Sequence, residues 1–275
     1  MAVQNIVLIH GWTSDESIWQ ETQNYLDQRY HVYTLNLPIA KNIHSYRDAV
    51  IELIEQNGLD QAILVGWSMG ALVAIQVAHQ LPLKVQGLIL VSGTSGFLAD
   101  SQCGIPELVG ESTVKYVPIK QESVTLTDVA YMGGIPAALI VRMKKRLSKN
   151  CEQTITDFYK LMFSTQEQAQ GLAGEIIARD LSRGRTWDLI EAQAGLDYLA
   201  EADVRAELKG ITCPTLLLHG EQDEICPIRG VEFIQRQIPC AQLIIYPGVG
   251  HIPFLTNFEG FHRALEGWFA SYDDR

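Results

Sequence analysis

A serine between two glycines is the residue of this chain with the clearest potential for chemistry. Ser68 lies in the stretch Gly66-Trp67-Ser68-Met69-Gly70, which has the form G-x-S-x-G. A serine on a sharp turn from a strand into a helix is exposed as a nucleophile, and flanking glycines leave room for that turn. The free N–H groups at the start of the helix favour negative charge nearby. The stretch therefore predicts a nucleophilic hydroxyl, provided that a base lies within reach.

A histidine and an acidic cluster further along the chain could supply this base and the carboxylate that orients it. A serine hydroxyl is a weak nucleophile at neutral pH and needs both partners. We identify His251 as the base, because it follows an apolar run in a loop that contains glycines. We favour Asp223 as the acid, but Glu221 and Glu224 lie beside it, and the sequence leaves the choice among the three open. Without such partners, Ser68 would be an idle turn residue.

Two backbone N–H groups must stabilise the negative oxygen that forms when a hydroxyl attacks a carbonyl carbon. We expect one from Met69, which follows the serine, and the other from Trp12, which follows the first apolar run. The side chains of Trp12 and Trp67 flank the same centre. They could form an apolar wall of a substrate pocket, and ordinary core packing is an equal alternative.

Strands that alternate with helices must bring these distant residues together. Apolar runs predict strands over 6–9, 31–37, 63–65, 85–92, 215–219 and 242–246. Between about 96 and 205 we find helical periodicity and no convincing strand. This pattern predicts an α/β fold: a mostly parallel sheet of about six strands with helices on both faces. We expect a core of residues 1–95 and 206–275, with a helical cap of residues 96–205 inserted before the last two strands.

Composition limits the possible partners and compartments. The chain has 275 residues, 47% of them hydrophobic, and a net charge of -11. This acidic balance argues against binding of nucleic acid or of an acidic membrane. The five cysteines are scattered without a C-x-x-C pair, and the first residues lack the charged and apolar regions of a signal peptide. We therefore expect a monomeric cytoplasmic protein with free thiols, without a metal or cofactor.

The motifs taken together resemble a known superfamily. The chain order Ser68, Asp223, His251 is that of the α/β-hydrolases. The tryptophans after His10-Gly11 and before the serine, with the stretch Gly195-Leu196-Asp197-Tyr198-Leu199, resemble more narrowly the pimeloyl-ACP methyl ester esterases of biotin synthesis. The resemblance implies an α/β-hydrolase fold and a serine carboxylesterase that acts through a Ser-His-Asp triad and an acyl-enzyme.

The resemblance also implies a protein partner. Members of that family act on an acyl ester carried by acyl carrier protein, which is acidic and docks on a basic cap. Arg142, Lys145, Arg146 and Lys149 fall on one side of a predicted cap helix at spacings of three and four residues. We interpret these four residues as a docking surface for the carrier, and an ordinary solvated face is the alternative.

Two other functions stay open at this stage. One is a general short-chain carboxylesterase, or another hydrolase or lyase of the same fold. The other is a non-catalytic sensor that binds a small molecule in the pocket. A broad acyl-chain profile without carrier dependence would favour the first, and ligand binding without turnover would favour the second.

Overall fold

Six parallel strands form the centre of the protein, in a computed structural model that describes residues 4–100, 105–109, 113–117, 131–181 and 187–273. The strands of this sheet are Asn5–Ile9 (β1), His31–Thr34 (β2), Ala62–Trp67 (β3), Val85–Val91 (β4), Thr215–Gly220 (β7) and Ala241–Tyr246 (β8). Their order across the sheet is β2-β1-β3-β4-β7-β8, and every neighbouring pair is parallel. The predicted α/β class, with about six strands, is confirmed.

Helices cover this sheet, as burial of its middle strands requires. All six residues of β3 and of β7 are buried, a pattern typical of a parallel sheet with helices on both faces. The α-helices around the sheet are Gln20–Leu26 (α1), Ser45–Gln56 (α2), Met69–Gln80 (α3), Ile228–Gln237 (α9), Pro253–Thr256 (α10) and Phe258–Asp273 (α11). Short 3-10 helices span Glu16–Trp19 and Glu207–Gly210.

The chain between β4 and β7 forms a second group of elements before the last two strands of the sheet. Its helices are Ala137–Lys149 (α4), Cys151–Leu161 (α5), Thr165–Ala169 (α6), Leu172–Leu181 (α7) and Leu189–Glu201 (α8). The predicted place of a helical insertion is therefore confirmed, while its division from the core at residues 96 and 205 stays a prediction.

The prediction that this insertion contains no strand is wrong. Ile105–Val109 (β5) and Thr113–Val117 (β6) pair in an antiparallel hairpin, separate from the main sheet. Each strand has only five residues. Runs this short give a weak alternation signal, which longer helical patterns on either side conceal.

Gly70 allows α3 to lie directly against β1. A Cβ atom built on Gly70 would lie 2.4 Å from the carbonyl oxygen of Ile9 and 2.7 Å from that of His10. These are backbone atoms, so a larger residue can be accommodated only if the helix moves away from the sheet. The second glycine of G-x-S-x-G is thus required by the contact of helix and strand.

We expect Gly70→Ala to lower the free energy of unfolding by about 2 kcal/mol, because the new methyl group overpacks this contact. Gly267→Ala is the matched control: Gly267 lies within α11, and a Cβ atom there meets nothing within 4 Å. It should stabilise the protein by about 0.5–1 kcal/mol. Urea denaturation followed by circular dichroism measures both changes. Equal stability of the two variants would contradict the packing argument.

Candidate active site

Ser68 lies at a strained turn between β3 and α3. Its φ and ψ are 55° and -117°, and a positive φ costs free energy in a residue other than glycine. Hydrogen bonds hold the strained turn in place: the Ser68 N–H donates to the oxygen of Val91, and the Ala71 N–H donates to the oxygen of Ser68, each at 3.0 Å. The sharp turn that the glycine spacing predicts is therefore present.

His251 and Asp223 form a buried pair beside this turn. The Nδ1 atom of His251 donates to Oδ2 of Asp223 at 2.7 Å, and both side chains are fully buried. The other carboxylate oxygen accepts the main-chain N–H groups of Ile225 and Cys226, each at 2.9 Å. Burial raises the pKa of Asp223, but the charge and hydrogen bond of His251, with smaller contributions from His219 and the Cys226 N–H, hold that pKa below its usual range. Asp223 is therefore ionised at neutral pH.

The three carboxylates that the sequence leaves open have different surroundings. Glu221 is exposed and accepts the main-chain N–H of Gly248 at 3.0 Å. Glu224 is also exposed. Within the described part of the chain, Asp223 is the one of the three that contacts His251. The geometry thus favours Asp223 as the orienting acid.

A second histidine lies near the same oxygen of the Asp223 carboxylate. His219 Nε2 is 3.7 Å from Oδ2 of Asp223 and donates to the carbonyl oxygen of Cys226 at 2.9 Å. Burial lowers the pKa of His219, so this ring is neutral at pH 7. Only His251 of the two histidines makes a short contact with the carboxylate, which agrees with the choice of His251 as the base.

The serine and the imidazole are not hydrogen-bonded to each other. The Nε2 atom of His251 has no hydrogen-bond partner among the residues that the structure describes. The Ser68 hydroxyl instead lies close to the thiol of Cys226, whose pKa burial raises well above its usual range. The ring nevertheless stays beside the turn, because the indole N–H of Trp67 donates to the His251 carbonyl oxygen at 3.0 Å. Rotation of the Ser68 side chain is the movement that the chemistry would require.

The two expected N–H donors lie on either side of the serine. Met69 is the first residue of α3. The loop that contains Trp12 contacts the turn, since a Cβ atom built on Gly11 would lie 3.1 Å from Cβ of Ser68. Neither the Met69 nor the Trp12 N–H donates to a backbone oxygen of a described residue. Both groups are thus available to an oxygen that develops negative charge.

A large cavity of about 440 Å³ opens over Ser68. Phe97 and apolar side chains from α4, α5 and α8 form much of its wall, and the helical residues are Leu139, Ile140, Met143, Phe158, Leu161, Leu196 and Leu199. Trp12, Ser68 and Asp223 also line the cavity. The structure does not bring Trp67 to this wall, because its ring is fully buried beneath the turn, near His251 and Phe254.

Positive charge lies at the rim of the cavity, on α4. Arg142 and Arg146 line it. Arg146 pairs with Asp157 at 2.6 Å, whereas no ion pair of Arg142, Lys145 or Lys149 occurs within the described residues. The exposed positive charge of the predicted docking surface is therefore carried mainly by Arg142, Lys145 and Lys149.

Sequence reasoning missed the inner wall of the cavity and one buried carboxylate. The apolar residues of α4, α5 and α8 have helical spacing, which does not distinguish packing against a core from lining a cavity. Glu167 is 4% exposed and contacts the loop of His251. Ser164-x-x-Glu167 has the form of a capping box, which could have been recognised as a helix start.

Within the described ranges, no helix combines the length and apolar character needed to cross a bilayer. The same ranges contain no group of three or more His, Cys, Asp or Glu side chains placed to hold a metal ion.

Comparisons with known proteins agree with this architecture. A family profile described as alpha/beta hydrolase fold matches residues 4–258. The pimeloyl-[acyl-carrier protein] methyl ester esterase of Nitrosomonas europaea is 29% identical over 94% of this chain and 92% of its own length. Its counterpart from a Shewanella strain is 27% identical over 98% and 92%.

Solved structures show the same fold at lower sequence identity. An esterase from Exiguobacterium antarcticum has a TM-score of 0.77 at 20% identity, over 96% of this chain and 91% of its own. A bromoperoxidase from Bacillus anthracis has a TM-score of 0.80 at 17% identity, over 98% and 92%.

We expect Asp223→Asn to slow labelling of Ser68 by a fluorophosphonate about 10,000-fold. The amide oxygen would still accept from Ile225 and Cys226, so the NH₂ group would face Nδ1 of His251. Nδ1 would then have to accept, and Nε2 would carry the proton and lose its ability to act as a base. The labelling rate, followed by mass spectrometry of the intact protein, measures this effect.

Glu221→Gln and Glu224→Gln are the matched controls for Asp223→Asn, and both should label within about threefold of the wild-type rate because neither side chain contacts His251. Loss of labelling in a glutamate variant, with normal labelling of Asp223→Asn, would assign the acid to that glutamate.

Proposed function

The chain belongs to the alpha/beta hydrolase fold family, and on this premise we propose that it is a serine esterase that hydrolyses the methyl ester of a pimeloyl group carried by acyl carrier protein. One observation supports this most strongly: Ser68 and the His251–Asp223 pair lie at an apolar cavity with a cationic rim. We infer the substrate from the similar sequences, which are pimeloyl-[acyl-carrier protein] methyl ester esterases.

In the proposed mechanism, His251 removes the proton of the Ser68 hydroxyl, and Oγ attacks the ester carbonyl carbon. The N–H groups of Met69 and Trp12 stabilise the resulting oxyanion. His251 then gives the proton to the leaving methoxy group, and methanol departs. Water attacks the acyl-enzyme with His251 again as the base, which releases the acid and restores the serine. Asp223 keeps the proton of the imidazole on Nδ1, so Nε2 is free to accept.

The cavity supports an acyl chain as the bound group. Its volume of about 440 Å³ is within the range of roughly 300–1,000 Å³ that is usual for small-molecule sites. Apolar side chains from three helices would surround the methylene groups of the chain, and the ester would reach the serine at the inner end. Arg142 lies at the rim, where the chain would leave the cavity toward its carrier.

Charge supports an acidic carrier as the source of that chain. The protein as a whole has a net charge of -11, which would repel an acidic partner at most of its surface. Arg142, Lys145 and Lys149 are exposed on α4 and would attract such a partner to the cavity. Asp157 offsets part of the charge of Arg146, so we assign Arg146 a smaller share of the attraction.

A less selective carboxylesterase is the second candidate. An apolar wall distinguishes acyl chains that differ by one methylene by only about 1–3 kcal/mol. The mainly apolar lining of this cavity favours tolerance of chain length.

A cytoplasmic location and a monomeric state stay predictions. Light scattering on the purified protein tests the monomeric state.

We expect Ser68→Ala to reduce methanol release from pimeloyl-ACP methyl ester at least about 1,000-fold, because no other group is proposed to form the acyl-enzyme. Ser92→Ala is the control: the Ser92 hydroxyl is buried without a hydrogen-bond partner among the described residues. Its loss should leave turnover unchanged. Normal methanol release by Ser68→Ala would exclude the serine mechanism. Tight binding of the ester by the wild type without any turnover would favour the sensor.

We expect the double variant Arg142→Ala with Lys145→Ala to raise KM for the carrier-linked ester about tenfold, because two charges that attract the carrier are removed. The effect should shrink as salt concentration rises. Dimethyl pimelate should be hydrolysed as by the wild type. Arg236→Ala with Arg263→Ala removes the same charge from exposed positions on α9 and α11 and should change neither substrate. An equal loss on both esters would contradict carrier docking.

A further inference from the structure

The loop that carries His251 is held by a short segment of the insertion, residues 162–167. Three main-chain groups of the loop are bonded to it. The His251 N–H donates to the carbonyl oxygen of Met162 at 2.7 Å, and the Gly250 N–H donates to Oε2 of Glu167 at 3.1 Å. The Ser164 hydroxyl donates to the oxygen of Gly248 at 2.7 Å. These bonds fix the backbone on which the imidazole is mounted.

Glu167 is unusual for a residue of a capping box. The Oε2 atom accepts the Ser164 N–H at 2.7 Å, as such a box requires, but the same oxygen also accepts from Gly250, 83 residues further along the chain. A capping glutamate ordinarily serves only its own helix and remains in contact with water. This one is 4% exposed, and its Oε1 atom has no partner among the described residues. Burial of a carboxylate is costly, so its contact with the His251 loop needs an explanation beyond capping.

The segment and the loop also approach too closely for any residue but glycine at position 250. A Cβ atom there would lie 2.4 Å from the Met162 oxygen, 2.8 Å from the Ser164 nitrogen and 2.9 Å from Oε2 of Glu167. Two of these three atoms belong to the backbone, so they cannot turn aside. This close contact therefore fixes the position of the His251 loop.

A second loop of the site is held by the helix that leads into this segment. The Tyr159 hydroxyl, on α5, donates to the Thr13 carbonyl oxygen at 2.9 Å, and the Trp187 indole donates to it at 3.3 Å. Thr13 has a φ of 55° and directly follows Trp12, the expected oxyanion donor. A strained residue keeps its conformation only where its surroundings determine it.

We propose that Glu167 is a positioning residue for His251, and that Tyr159 positions the loop of Trp12 in the same way. The inference rests on the proposed function, since it assigns both residues to the geometry of that reaction. Neither touches the reacting atoms. Glu167 fixes the Gly250–His251 peptide and thereby the position of the His251 imidazole. Tyr159 fixes Thr13 and thereby the N–H of Trp12, the preceding residue.

The test of Glu167 uses three substitutions of that residue with the full chain. Glu167→Ala removes the acceptor for Gly250. Displacement of a reacting group by about 1 Å can cost 100-fold, so we expect kcat for p-nitrophenyl acetate to fall about 10- to 100-fold with KM within about threefold. Glu167→Gln retains an acceptor oxygen and should recover most of kcat. Glu167→Asp retains a carboxylate in the first turn of α6 but is one methylene too short to reach Gly250, so it should behave like alanine even if the alanine variant fails to fold.

A spectroscopic measurement separates positioning from general destabilisation. The proton between His251 Nδ1 and Asp223 gives a far-downfield proton NMR signal that needs no substrate. We expect this signal to shift or broaden in Glu167→Asp and to persist in Glu175→Ala, whose exposed side chain lies on α7. Unchanged kcat together with an unchanged signal in Glu167→Asp would overturn the inference. Since the signal does not depend on turnover, a failure of the esterase proposal in Ser68→Ala is distinguishable from a failure here.

Tyr159→Phe tests the other loop. It removes one of the two donors to Thr13, so kcat should fall about threefold to tenfold while the His251 signal stays in place. Tyr198→Phe is the matched control, since it also deletes one hydroxyl with a single partner, Gln76 at 2.9 Å. Equal kcat in the two variants would overturn the assignment of Tyr159.

Discussion

The ionised carboxylate of Asp223 is the constraint on which the site depends. A charge buried in an apolar interior is tolerated only when donors surround it. Here the N–H groups of Ile225 and Cys226 hold one oxygen, and His251 holds the other. The turn after β7 must therefore be tight enough to point two N–H groups inward, and the loop after β8 must bring an imidazole to the same place. The conformation of each loop therefore follows from the hydrogen-bond donors that the Asp223 carboxylate requires.

The parallel sheet makes this meeting of loops possible. In β7 and β8, Gly220 lies opposite Tyr246, so the segments that follow leave the same edge of the sheet as neighbours. They are also in direct contact, because a Cβ atom built on Gly220 would lie 2.0 Å from the oxygen of Gly250. β3 ends at that edge as well and delivers Ser68. Residues 68 and 251 are far apart along the chain, and the order of the parallel strands, rather than side-chain contacts, brings them to the same edge of the sheet.

Local chemistry made some of these features predictable, and long-range contacts concealed the others. The turn at Ser68 follows from glycines within two residues of it, and the sheet follows from alternating apolar runs. The choice of Asp223 over its two acidic neighbours could not be made, because it depends on which side chain faces a ring 28 residues away. Trp12 and Trp67 look alike in the sequence, yet one lines the cavity and the other is buried beneath the turn. Neither the sequence around Glu167 nor the sequence around Gly250 indicates by itself the hydrogen bond between them.

The insertion between β4 and β7 supplies both the cavity walls and the hydrogen bonds to the loops of Trp12 and His251. It is consequently not an interchangeable module. A graft of the corresponding segment from a relative would bring new walls, but it would also replace Tyr159, Ser164 and Glu167. For the proposed esterase, single changes along the inner faces of α4 and α8 would reshape the cavity and leave those three side chains in place.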